Sequence, residues 1–71
     1  MPENELSNCV RQLRFENGRI TQQDLADRVG VTRQTIIAIE QGKYSPSLPL
    51  AFRIAKTFGV TVEQAFELNE G

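Results

Sequence analysis

The 71-residue sequence contains no histidine and a single cysteine, Cys9. Without histidine there is no imidazole for general acid–base work near neutral pH, and neither a Ser-His nor a Cys-His pair can be assembled. One thiol excludes an internal disulfide framework and a cysteine-rich zinc site, and the absent histidines remove the other common zinc ligand. There is no glycine-rich phosphate loop. Asp24 and Asp27, three apart on one helix, read as surface solubilisers, and Cys9 falls at an inward helical spacing that suits a small buried thiol better than a redox centre. We therefore expect no enzyme, no catalytic residue, no metal and no cofactor. No apolar run approaches the roughly 18 residues of a membrane span, and the N-terminus lacks a basic region followed by an apolar one. The expected location is the cytoplasm.

Length allows one domain, residues 1–71, with a thin core, because a chain this short buries only about 60% of its unfolded surface. It suffices for four or five short helices and is too short for most α/β enzyme folds. Apolar residues at 39% and charged residues at 24% describe an ordinary soluble domain. The net charge of −1 conceals an uneven distribution. All eight basic residues lie between Arg11 and Lys56, alongside four acids, so that span carries +4. The other five acids, Glu3, Glu5, Glu63, Glu67 and Glu70, sit at the two ends. A polyanion responds to the local field of a face, so the total leaves DNA open as a partner without supporting it.

Caps and periodicity predict an all-α fold of five helices. Leu6, Cys9, Val10 and Leu13 recur at helical spacing, and Asn17-Gly18 turns the chain after them. Thr21 caps a second helix whose inward face is Leu25, Ala26 and Val29, and Gly30 ends it. Thr32 caps a third, with Ile36 and Ile39 buried and Gly42 closing it. Only Gly30, Val31 and Thr32 separate these two helices, so residues 21–41 read as a helix-turn-helix. Ser47 caps the fourth, where Leu48, Ala51, Ile54, Ala55 and Phe58 form the stripe and Pro49 is tolerated in the first turn. Thr61 and Gln64 make a capping box for a last helix burying Val62, Ala65 and Phe66. No internal repeat or linker occurs.

With Ile36 and Ile39 directed inward, Arg33, Gln34, Ile37, Ala38 and Gln41 lie on other faces of the third helix. Arginine can bridge guanine O6/N7 and glutamine adenine N6/N7, so Arg33 and Gln34 in an exposed first turn suit base contacts in a major groove. A merely solvated helix start would look the same in isolation. Ile37 is either a thymine or sugar contact or an exposed isoleucine without a role. Gln22 and Gln23 open the second helix where the dipole favours a phosphate, and Gln22 can also bond to Gln34 across the motif and hold it in pose. Lys43, Tyr44 and Ser45 follow the third helix at a position suited to backbone phosphates. Arg14 and Glu40 lie near the ends of helices that cross, and we expect a partly buried salt bridge between them.

The segments QLR (Gln12–Arg14), TQQDLADRVGVTRQTIIAIEQGKYSPSL (Thr21–Leu48) and LAFRIAKTFGVTVEQAF (Leu50–Phe66) resemble the Cro/C1-type helix-turn-helix family, also called the Xre family, of transcription regulators. The resemblance covers nearly the whole chain. It implies a compact, lambda-repressor-like domain that binds double-stranded operator DNA through residues 33–41. Base contacts are then expected at Arg33, Gln34, Ile37 and Ala38, and phosphate contacts at Gln22, Gln23, Thr32, Thr35, Gln41, Lys43, Tyr44 and Ser45. Frequent family members carry serine and lysine where Ile37 and Ala38 stand, which makes this face less polar. Pro49 replaces a usual acid. Larger relatives carry ligand-sensing domains, whereas this chain is similar to small stand-alone regulators that bind DNA as homodimers, with no small-molecule effector domain and no membrane partner. Phe52, Phe66 and Leu68 would form an apolar seam between subunits, or else Phe52 and Leu68 fold back over the core. The competing reading is a protein-interaction module such as the antitoxin of a toxin–antitoxin pair, suggested by the acidic C-terminal end and the spare apolar residues.

Overall fold

A computed structural model describes residues 6–69, so Glu3, Glu5 and Glu70 lie outside the described residues. The elements follow in the order β1 (Leu6–Asn8), α1 (Val10–Glu16), α2 (Gln22–Val29), α3 (Arg33–Glu40), α4 (Leu48–Thr57), α5 (Val62–Ala65) and β2 (Phe66–Leu68). Five helices form, and α2 to α5 start at the caps that the sequence predicts. The hydroxyls of Thr21, Thr32, Ser47 and Thr61 accept the backbone N–H groups of Asp24, Thr35, Leu50 and Gln64, opening α2 to α5. Each such cap contributes about 1 kcal/mol. At Thr61 the box is reciprocal, because the Gln64 side-chain carbonyl accepts the Thr61 N–H at 2.8 Å.

Two features depart from the sequence expectation at the chain ends. Leu6 does not belong to α1. Residues 6–8 are extended and pair antiparallel with β2, Leu6 opposite Leu68 and Asn8 opposite Phe66. The Cys9 N–H continues this tie by bonding to the Ala65 carbonyl at 3.1 Å. Helix begins only at Val10, whose N–H donates to Asn8 Oδ1 at 3.2 Å. At the other end Phe66 leaves the helix, with φ −130° and ψ 143°, to start β2. A two-stranded ladder thus closes the ends of the helical domain upon each other.

The core draws on all five helices and β2, with Val10, Leu25, Ile36, Ile39 and Ile54 wholly inaccessible. In α4 the buried stripe is Leu50, Ala51, Ile54 and Ala55, with Phe58 at the cap. Leu48, expected in that stripe, is 66% exposed, because its place at the first helical position turns it away from the face that Leu50 occupies. Phe66 also needs correction. Its ring is buried in the core at 6% exposure and has almost no surface left for a second subunit. Phe52 and Leu68 do not fold back over the core; both remain about half exposed. Cys9 is half-buried, and its thiol donates to the Gln64 carbonyl at 3.3 Å. Among the described residues no helix is long and apolar enough to cross a membrane.

Candidate nucleic-acid interface

The placement of α3 begins with the turn before it. Gly30, at φ 79°, takes the left-handed conformation that an L side chain rarely adopts, and both its N–H and that of Val31 bond to the Ala26 carbonyl. Val31 packs against the core, and Thr32 then caps α3. At the far end Gly42, at φ 74°, donates to Ile39 O and Lys43 N–H donates to Ala38 O, the paired bonds of a Schellman motif. Between these ends Ile36 and Ile39 are fully buried. Both termini and the inner face of α3 are therefore fixed.

A buried polar network adds a further restraint. Arg14 Nε donates to Glu40 Oε2 at 2.7 Å and Arg14 Nη2 to Glu40 Oε1 at 3.0 Å, a two-pronged pair with 9% and 6% of the side chains exposed. Arg14 Nη1 donates to the Ile20 carbonyl at 2.9 Å, and Gln22 Nε2 to Glu40 Oε1 at 3.2 Å. The Arg14–Glu40 pair thus joins α1, the loop before α2, the first turn of α2 and the last turn of α3. The sequence anticipates the Arg14–Glu40 pair but not the partner of Gln22, whose amide goes to Glu40 and not to Gln34. Asn8 supplies a tie with no sequence signal: its Nδ2 donates to the Ile39 carbonyl at 2.9 Å, fastening β1 to the end of α3.

What remains outward is the polar set read from the sequence. Arg33 and Gln34 are exposed at the first turn of α3, and Gln41, Lys43, Tyr44 and Ser45 at and beyond its end. Thr35 and Ala38 are half-buried. The Thr32 and Thr35 hydroxyls lie 3.2 Å apart and share a hydrogen bond, while exposed Gln23 bonds along α2 to Asp27 at 2.9 Å. Ile37 is half-buried and does not stand alone on the surface. With Gln22, Glu40 and Gln41 it lines a recess of about 380 Å³ whose other wall is Arg11, Arg14 and Phe15 of α1. Nothing in the sequence singled out Arg11 or Phe15, since α1 lies outside the helix-turn-helix. No cluster of candidate metal ligands occurs among the described residues.

This geometry has clear counterparts. A family model described as helix-turn-helix matches residues 10–64. A helix-turn-helix-type transcriptional regulator of Methanocaldococcus jannaschii is 68% identical over 47 residues, 66% of this chain and 71% of that protein. Another, of Methanothermobacter thermautotrophicus, is 58% identical over 66 residues, 92% of this chain and 94% of that protein. Among solved structures, the restriction-modification controller protein C.AhdI of Aeromonas hydrophila superposes with a TM-score of 0.70 at 25% identity, covering 78% of each chain. The clamped α2–turn–α3 unit, its outward polar residues and these matches together make the chain a member of the helix-turn-helix family, of the Cro/C1 (Xre) type of transcriptional regulator.

Proposed function

We propose that the protein regulates transcription in the cytoplasm by binding double-stranded DNA sequence-specifically, with α3 in the major groove, as a homodimer on a two-fold operator. One arrangement carries the reading. The inner face of α3 is wholly buried at Ile36 and Ile39, while Arg33 and Gln34 project from a capped first turn into solvent. A rigid helix with bidentate donors at its N-terminal end suits a groove that displays a distinct donor and acceptor pattern for each base pair.

In this reading Arg33 and Gln34 read bases, and Ile37 and Ala38 give apolar contact close to the helix axis. Gln22 keeps one amide hydrogen for a phosphate while the other holds Glu40. Gln23, Thr32, Thr35, Gln41, Lys43, Tyr44 and Ser45 surround α3 as phosphate contacts, which set register without reading sequence. A subunit seam drawn from Phe52 and Leu68, joined by Leu48 one turn before Phe52, uses apolar surface that the fold leaves exposed. Fluorescence anisotropy against fragments selected from the protein's own genome tests the function. The expected result is a fragment bound at least about 10³-fold tighter than random duplex at one fixed salt concentration. Equal affinity for every duplex would overturn the reading.

A further inference from the structure

Arg11 and Phe15 belong to neither the core nor the α3 surface, yet they form a wall of the recess beside it. They stand one turn apart on α1, both exposed, with the Arg11 guanidinium carbon 5.6 Å from the centroid of the Phe15 ring. The Arg14 guanidinium approaches the same ring at 5.5 Å. Phe15 is 50% exposed, and two guanidinium groups lie over its ring. The charges in the recess are unequal in consequence. Glu40 is the one acid lining it, and that carboxylate is neutralised by Arg14. Arg11 therefore leaves the recess positive, and among the described residues no carboxylate pairs with it.

We propose that this recess is part of the DNA interface: Arg11, positioned by the Phe15 ring, contacts a backbone phosphate alongside α3. The inference rests on the reading that the outer face of α3 lies in the groove. A helix with its side chains is about 10–12 Å across and the major groove about 12 Å wide, so groups flanking an inserted helix meet the phosphate walls. Across the recess from Arg11 are Ile37 and Gln41 on that outer face and Gln22 at the start of α2. The surface is thus continuous with α3, and its charge complements a polyanion. A guanidinium forks onto phosphate oxygens, and one already resting on an aromatic face loses less freedom when it does so.

The test is anisotropy titration of the full chain across a salt series, on a preferred genomic fragment and on random duplex. Arg11→Ala is expected to weaken binding to both by about tenfold and to lower the salt slope by about 1. Arg11→Lys should keep the slope, and Phe15→Leu should lose a few-fold in affinity with the slope unchanged. Lys56→Ala, in the last turn of α4 and outside the recess, controls for net charge and should change binding less than about twofold, since no phosphate contact is lost. Thermal melts confirm that each variant folds. If Arg11→Ala behaves like Lys56→Ala while Arg33→Ala and Lys43→Ala lose binding, the proposal falls and the reading of α3 stands. If Arg33→Ala and Lys43→Ala are also silent, both fall. An unchanged slope with dissociation of subunits in Arg11→Ala would make the recess a protein contact and overturn the proposal as well.

Discussion

Arg33 and Lys43 stand at opposite ends of α3 and leave the backbone under different constraints. Arg33 is the first helical residue after the Thr32 cap, so in the proposed docking its side chain projects from the end that faces the base edges. Lys43 lies past the C-terminus, with its N–H held by the Ala38 carbonyl at 2.9 Å. A planar fork can discriminate guanine, whereas a flexible ammonium is a point charge with no base preference. Arg33→Ala is therefore expected to relax preference at one operator position by about 1–3 kcal/mol. Lys43→Ala should weaken binding to all sequences alike and reduce the salt slope by about 1. Binding measured on single-position operator variants at several salt concentrations separates the two, and equal losses on every duplex from both substitutions would refute this division. Ile37 illustrates why single residues are hard to assign from sequence. Its spacing says only that it is not on the core face, while the structure gives it a recess shared with Phe15, a residue 22 positions earlier.

The helix α3 acts as one clamped body, and the Glu40 carboxylate is the clamp that reaches furthest. It accepts from Arg14 twice and from Gln22 once, with little water access. Glu40→Ala would leave the Arg14 guanidinium buried with the Ile20 carbonyl as its one hydrogen-bond acceptor among the described residues. Removing one side of such a pair costs about 3–5 kcal/mol, which for a domain of this size lowers Tm by at least about 12 °C. The double variant Arg14→Met/Glu40→Leu should recover much of that loss, because no buried charge remains. A Glu40→Ala melt within about 1 kcal/mol of the parent would refute the clamp. Local signals made most of this element readable in advance. Thr32, Ile36, Ile39 and Gly42 each declare themselves by side-chain chemistry within one helical turn. The ladder of β1 and β2 did not, because Leu6 to Asn8 carry no alternation and the pairing joins residues about 60 apart. Leu6 even fits the helical spacing of Cys9, Val10 and Leu13 by coincidence. Leu48 departs from the helical pattern for a related reason: at a helix start, periodicity alone leaves the phase free by a residue or two, and Leu50 takes the core position. The outward polar residues of α3 are legible as types, but the partner of Gln22 and the recess shared with α1 depend on how distant elements pack.

At the scale of the whole molecule, the domain measures 33 × 23 × 21 Å. One such body covers about a single helical turn of DNA, since half-sites repeat at roughly 34–36 Å. A lone module reads only the few bases its recognition helix reaches. Two modules joined through a subunit seam convert the second binding event into an intramolecular one, which raises apparent affinity by about 10²–10⁴. The exposed apolar residues suited to this seam are Leu48 and Phe52, one turn apart on α4, with Leu68 on β2; Phe66 is excluded because it completes the core. Phe52 is 52% exposed, so Phe52→Glu should leave the monomer folded while placing a charge against its copy. Sedimentation velocity is expected to show the parent chain as a dimer and Phe52→Glu as a monomer. On a two-fold operator the variant should lose about 10²-fold in affinity, and on an isolated half-site it should bind like the parent. A variant that remains dimeric would move the seam elsewhere. A parent chain that stays monomeric even on its operator would remove the dimer, and the operator symmetry with it, while leaving the contacts of Arg33 and Gln34 to be judged on one half-site.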